Sequence, residues 1–141
     1  MREWVGTDSM FAHVLVPIDL SERGTRCLRI VETLPVKRVT VFHVIQRVPG
    51  VPAAELRPFY ARLRKRAGDV VERAVASLAA SGLRVGHAVT IGDPAREILR
   101  LATARRADLV VLGSHQLGPK PGQGLATTSF KVALALSLIH I

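Results

Sequence analysis

The feature that most constrains this chain is an alternation. Short, almost unbroken runs of apolar and β-branched residues are separated by longer segments whose apolar residues recur at helical spacing. "AHVLVPI" (residues 12–18) is the first such run. A strand with no polar face has to be covered on both sides. That is the condition of a parallel sheet whose crossovers are helices. "SERGTRCLRIVETL" (21–34) supplies the first crossover, with Cys27, Leu28, Ile30, Val31 and Leu34 on one stripe and Ser21 in an N-cap position. "RVTVFHVI" (38–45) is the second strand. "QRVPGVPAAELRP" (46–58) holds three of the eight prolines and reads as a loop.

"FYARLRKRAGDVVERAVASLAAS" (59–81) predicts a long helix stopped at Gly82. "RVGHAVTI" (84–91) is a third strand, and "GDPAREILRLATARRA" (92–107) a helix capped by Asp93 with Pro94 at its first position. "DLVVLGS" (108–114) is a fourth strand. After a glycine-rich loop, "ATTSFKVALAL" (126–136) predicts a fourth helix and "SLIHI" (137–141) a fifth strand. The order predicts an α/β fold, with right-handed crossovers and helices on both faces of an open parallel sheet. Ligands of such sheets bind at the carboxyl ends of the strands, where strand order reverses. Asp19, after strand one, then lies near Gly113, after strand four, if those strands are neighbours.

At 141 residues the chain is long enough for one domain with its own core. We expect that domain over residues 11–141, with residues 1–10 a loosely ordered leader. Hydrophobic residues make up 48%, which excludes a disordered chain. A single cysteine, Cys27, allows no internal disulfide and suits a reducing cytoplasm. No run is long enough to span a membrane, so no membrane partner is expected. The net charge of +9 raises nucleic acid as a partner. Arginine outnumbers lysine 16 to 4, but these residues are spread over several helices. The one local cluster, "ARLRKRAG" (61–68), falls in an amphipathic helix, and no aromatic stacking or groove-reading motif accompanies it. Nucleic acid is therefore not the expected partner.

Few residues point to chemistry by themselves. Asp19 in "VPIDLSE" could accept hydrogen bonds from ribose hydroxyls or hold a metal through water, or it could cap the first helix, and spacing leaves these open. The "GDP" turn at Gly92 is chiefly structural in reading, although a helix start attracts anions. "VVLGSHQLGPKPGQGLATTS" (110–129) carries Gly113, Gly118, Gly122 and Gly124, with hydroxyls at Ser114, Thr127 and Thr128. Its glycines permit close backbone approach to a ligand, but it is not a Walker-type loop, and no GxGxxG follows strand one. His13, His43, His87, His115 and His140 have no zinc spacing, and a core or supporting role is the reading for His43. No nucleophile motif is present, and Cys27 sits on an apolar helix face.

Taken together, "HVLVPIDLSE", "VTVFHVI" and "GDPAREILRLATARRADLVVLGSH" resemble the universal stress protein family in order and spacing, from about Phe11 to the end of the chain. The resemblance implies a five-stranded parallel sheet of order 3-2-1-4-5, a cytoplasmic homodimer and a stress-response role. Some members bind ATP, with Mg, through Gly-x2-Gly-x9-Gly-Ser/Thr after strand four. On that pattern Gly113 and Thr127 are retained, while Gln116 and Ala126 replace glycines. If the Gln116 position needs positive φ, glutamine costs roughly 1 kcal/mol there. Pro119 and Pro121 also remove two backbone donors.

The adenosine half is better kept, by Pro17, Ile18, Asp19 and Val44; the resemblance adds Gly92, Gly113, Ser114, His115, Gly118 and Thr127 as nucleotide-binding positions. The implied ligand is an adenine nucleotide, ATP or AMP. The alternative is a nucleotide-independent dimerisation or partner module. A nucleotide hydrolase is disfavoured, since no Ser-Gly-rich loop adjoins strand one, and any ATP hydrolysis should be slow. The family's fifth strand pairs two subunits, and here "LALSLIHI" runs out at that point, so a truncated strand would weaken the dimer contact.

Overall fold

A computed structural model describes residues 11–20 and 22–112, and the side chains of 22–25 are outside this description. The elements are β1 (Phe11–Pro17), α1 (Glu22–Glu32), β2 (Val36–Gln46), a 3-10 turn (Ala53–Leu56), α2 (Arg57–Ala80), β3 (Arg84–Gly92), α3 (Pro94–Ala104) and β4 (Leu109–Val110). The four strands form one sheet in the order β3-β2-β1-β4, and every pair is parallel. This is the α/β fold the sequence predicts, over the first four strands of the expected order. The leader, Ser21, the fourth helix and the fifth strand lie outside the described residues.

Alternate residues of β1 serve opposite layers. Val14 and Val16 join Val39 and Val41 of β2 on one face, packed against Cys27, Leu28 and Val31 of α1 and Val71, Ala74 and Leu78 of α2. Leu15 and Phe42 occupy the other face beneath Ala95, Ile98 and Ala102 of α3. Val14, Leu15 and Val16 are completely buried, which is why the run from Val14 to Ile18 has no polar position. Each such side chain contributes about 1.5–3 kcal/mol by leaving water. Ile30, expected on the buried stripe of α1, is instead 54% exposed. It falls at the margin of the arc set by Cys27, Leu28 and Val31, where the sheet no longer reaches.

Several boundaries differ from the expected ones for local reasons. β2 begins at Val36, because Phe11 pairs with it and the Phe11 N–H donates to the Pro35 carbonyl at 2.9 Å. α2 begins at Arg57 because Pro58 falls in the first turn, where its missing N–H has no helical partner to lose. α2 ends where Gly82 turns left-handed at φ +87°. α3 has the expected start, with the Asp93 side chain accepting from the Arg96 N–H at 3.0 Å. It closes three residues early. Arg106 takes φ +52°, its N–H donates to the Thr103 carbonyl at 3.2 Å, and the Ala107 N–H donates to the Ala102 carbonyl at 2.9 Å. This is a Schellman closure with arginine in the position glycine usually fills.

Candidate functional site

Strand order reverses at β1: the chain moves outward through β2 and β3, then returns to place β4 on the other side of β1. The residues leaving β1 therefore sit at the switch point of the sheet. Pro17 and Ile18 are buried there, and Asp19 is exposed beyond them. The Ile18 N–H donates to the Phe42 carbonyl at 2.7 Å, extending the β1–β2 ladder one step past the strand. The Ile18 carbonyl accepts from Nδ1 of His43 at 2.7 Å. His43 is half-buried on β2, so its ring braces the exit of β1 from the neighbouring strand. That contact fixes the tautomer with the proton on Nδ1.

Val44 follows on β2 and is half-buried; its register partner is Thr90 on β3. The Thr90 hydroxyl is buried and has no partner among the described residues. A buried hydroxyl left in this state costs about 1–3 kcal/mol, so it marks a place where a polar atom would be welcome. Gly92 ends β3, and its carbonyl accepts from the Arg47 N–H at 3.1 Å. A Cβ on Gly92 would meet the Glu97 side chain at 2.9 Å, and Glu97 in turn pairs with Arg100. A side chain at this position would therefore have to displace the Glu97 side chain. Beyond Gly92, the loop from β2 to α2 is tethered by Tyr60, whose buried hydroxyl accepts from the Val48 N–H at 3.0 Å.

Cys27 is buried in the α1 layer. Burial first, and the negative charge of Asp19 second, push its thiol above the ordinary range. It packs as part of the apolar core. Among the described residues, no group of histidines, cysteines and carboxylates could hold a metal ion, and no helix is long and apolar enough to cross a membrane. The expected positions thus divide. Pro17, Ile18, Asp19 and Val44 come together at the carboxyl ends of β1 and β2, while Gly92 ends β3 at the edge of the sheet. Gly113, Ser114, His115, Gly118 and Thr127, with Gln116 and Ala126, lie outside the described residues.

Sequence reasoning missed His13, Tyr60, Asp108 and the arginines around them. Among the described residues His13 is the buried histidine, 3% exposed. The sign available in sequence was its place inside the otherwise apolar first run, where a polar side chain needs partners from other elements.

The chain matches the model of the universal stress protein family over residues 10–133. No curated protein sequence matches it significantly. Among solved structures it is similar to the hypothetical protein MJ0577, with 25% identity, TM-score 0.74, and 89% of this chain and 90% of that one covered. Universal stress protein UspA from Lactobacillus plantarum shares 20% identity at TM-score 0.70, covering 89% and 92% of the two chains. A universal stress protein crystallised with cAMP shares 23% identity at TM-score 0.55, covering 88% and 89%. With the parallel 3-2-1-4 sheet and a match that spans most of its length, the chain belongs to the universal stress protein family.

Proposed function

We propose that this chain is a stress-response module that binds an adenine nucleotide at the carboxyl ends of β1 and β4. The observation that carries this reading is the brace from His43 to the Ile18 carbonyl, which holds the exit of β1 and presents exposed Asp19 at the switch point. A carboxylate there suits a ribose diol, since it accepts two hydrogen bonds. Val44 offers apolar surface and backbone groups to a purine, and the unsatisfied Thr90 hydroxyl is the register neighbour of Val44. The adenosine half of the site therefore fits the residues present. A similar structure contains cAMP, an adenine nucleotide with one phosphate, which agrees with a site that keeps adenosine recognition better than triphosphate recognition.

The nucleotide acts as a signal held by the module. No residue at the described end of the sheet is poised as a general base, so turnover of ATP is slow at most. Residence in the cytoplasm and pairing into homodimers belong to the same reading, supported by family resemblance alone. Calorimetry with ATP, AMP and cAMP, each with magnesium, on the wild type and on Gln116→Gly tests the reading. Saturable binding of at least one nucleotide by the wild type is the expected outcome, with AMP or cAMP at least as tight as ATP. Tighter ATP binding would overturn the preference for fewer phosphates. Binding only by Gln116→Gly would overturn the nucleotide reading for the natural chain and make it a partner module whose inherited site has closed.

A further inference from the structure

The opposite end of the sheet carries a polar cluster that nucleotide binding does not use. His13 on β1 is buried, and its two ring nitrogens are engaged: Nδ1 at 3.0 Å from the Arg105 carbonyl and Nε2 at 2.7 Å from the Thr40 hydroxyl. A carbonyl only accepts, so Nδ1 carries the proton and Nε2 accepts from Thr40. The Thr40 oxygen also accepts from Nη1 of Arg105 at 3.4 Å. Nη2 of Arg38 approaches Nδ1 to 3.5 Å, but both are donors, so this is contact without a bond. Two guanidinium groups thus rest on one imidazole–hydroxyl pair, and among the described residues neither is ion-paired there.

Among the described residues no group forms an ion pair with them. Arg84 is the register partner of Arg38 on the edge strand, and Arg106 follows Arg105, so the charge only grows. The carboxylate of Asp108 is taken by backbone, accepting from the Ala12 N–H at 2.8 Å and the His13 N–H at 2.9 Å. Among the described residues no carboxylate pairs with any of these four arginines. Like charges gathered over a buried platform repel, and an anion bound between them removes that cost. The second observation is backbone strain. α2 closes on a left-handed glycine, Gly82, whereas α3 closes on a left-handed arginine, Arg106. Glycine would be cheaper in that turn. An arginine kept there at a cost in stability is accounted for if its side chain serves a ligand.

We propose that the amino end of the sheet is a second ligand site, in which Arg38 and Arg105, flanked by Arg84 and Arg106, hold a phosphate-type oxyanion. The planar, five-donor guanidinium suits paired bonds to phosphate oxygens, and Gly86 lies beside Arg105 and Thr40 on the same face. A Cβ there would come within 3.9 Å of both Arg105 Nη1 and Thr40 Oγ1. The site is independent of the nucleotide reading, since it lies at the other end of the strands. The oxyanion is either free phosphate or the phosphoryl group of a small ester.

Titration of the nitrogen-15-labelled full chain, with inorganic phosphate in one arm and glycerol phosphate in the other, tests this. The expected result is saturable shifts of the His13, Gly86 and Arg105 amides, at millimolar ligand or below. A response to phosphate alone assigns the free ion as ligand, and an equal or stronger response to the ester assigns a phosphoryl group. The double variant Arg38→Gln/Arg105→Gln should lose affinity by roughly tenfold or more, and Arg62→Gln on the exposed side of α2 should retain it. Arg106→Gly should raise the thermal midpoint while weakening binding several-fold, a divergence that a purely structural arginine would not give. Shifts that fail to saturate, shifts confined to the carboxyl ends of the strands, full affinity in the double variant, or equal loss in Arg62→Gln would each overturn the proposal. Wild-type affinity in Arg106→Gly would remove Arg106 from it.

Discussion

At the amino end of the sheet, His13 is sealed in and ties β1 to β2 and to the turn after α3 through both ring nitrogens. At the carboxyl end, half-buried His43 makes a single described bond, to the carbonyl that precedes Asp19. The same side chain, one strand apart, closes one end and braces the other. The acids differ in the same sense. Asp108 bridges two backbone amides at the start of β1, whereas Asp19 follows the end of that strand at the switch point. Polar groups in a parallel sheet can either stitch strands together or face a ligand; His13 and Asp108 do the first, and the second is the role proposed for the exit of β1.

The comparison can be broken most forcefully at His13. His13→Ala should destabilise the fold by about 2–4 kcal/mol, because it leaves a cavity and orphans the Thr40 hydroxyl and the Arg105 carbonyl. Denaturant unfolding would measure it, and a loss below about 1 kcal/mol would mean that water replaces the ring.

Asp108→Asn comes next, at about 1–2 kcal/mol near neutral pH, since an amide oxygen can serve only part of what the carboxylate accepts. Burial pushes the Asp108 carboxyl up, but the amides of Ala12 and His13, its own amide and the electrostatic influence of the neighbouring His13 ring together outweigh this and hold it below the ordinary carboxylate value. A depressed folded value stabilises the protein above the unfolded value near 4, and this contribution is lost as pH falls further. The gap in unfolding free energy between wild type and Asp108→Asn should therefore narrow between about pH 5 and pH 3. A constant gap would assign the effect to shape alone.

The smallest effect on stability belongs to His43→Leu, about 1 kcal/mol or less, because one half-buried bond is lost and apolar volume is kept. Its value is in the contrast. If the carboxyl end is the nucleotide site, this variant should weaken AMP or cAMP binding several-fold by calorimetry while the thermal midpoint hardly moves. A large fall in midpoint with unchanged affinity would make His43 a second stitch like His13.

What the sequence could show follows from the range of the interactions. The layers were legible because unbroken apolar runs such as Val14–Leu15–Val16 have one structural meaning, and the helix starts at Asp93 and the stop at Gly82 depend on neighbours within a turn. The partial site was legible for a related reason: Asp19 follows directly from strand one, and topology carries it to the switch point. The amino-end cluster was not legible. His13, Thr40, Arg105 and Asp108 are far apart in the chain, and each is unremarkable in its own window. Ile30 and the early end of α3 were missed because a helical stripe does not state where its sheet stops, and because arginine gives no warning of a left-handed turn.

The bridge from Asp108 to the amides of Ala12 and His13 spans 96 and 95 positions in sequence. As a matter of timing, the first strand emerges from the ribosome long before the acid that completes it. Contacts that close so large a loop form late in folding, once intervening pairs have reduced the entropy of closure. The amides of Ala12 and His13 therefore act as a clock. Their protection from hydrogen exchange should come after that of Val39 and Val41, and its appearance would mark the moment at which β4 docks and the sheet acquires its fourth strand.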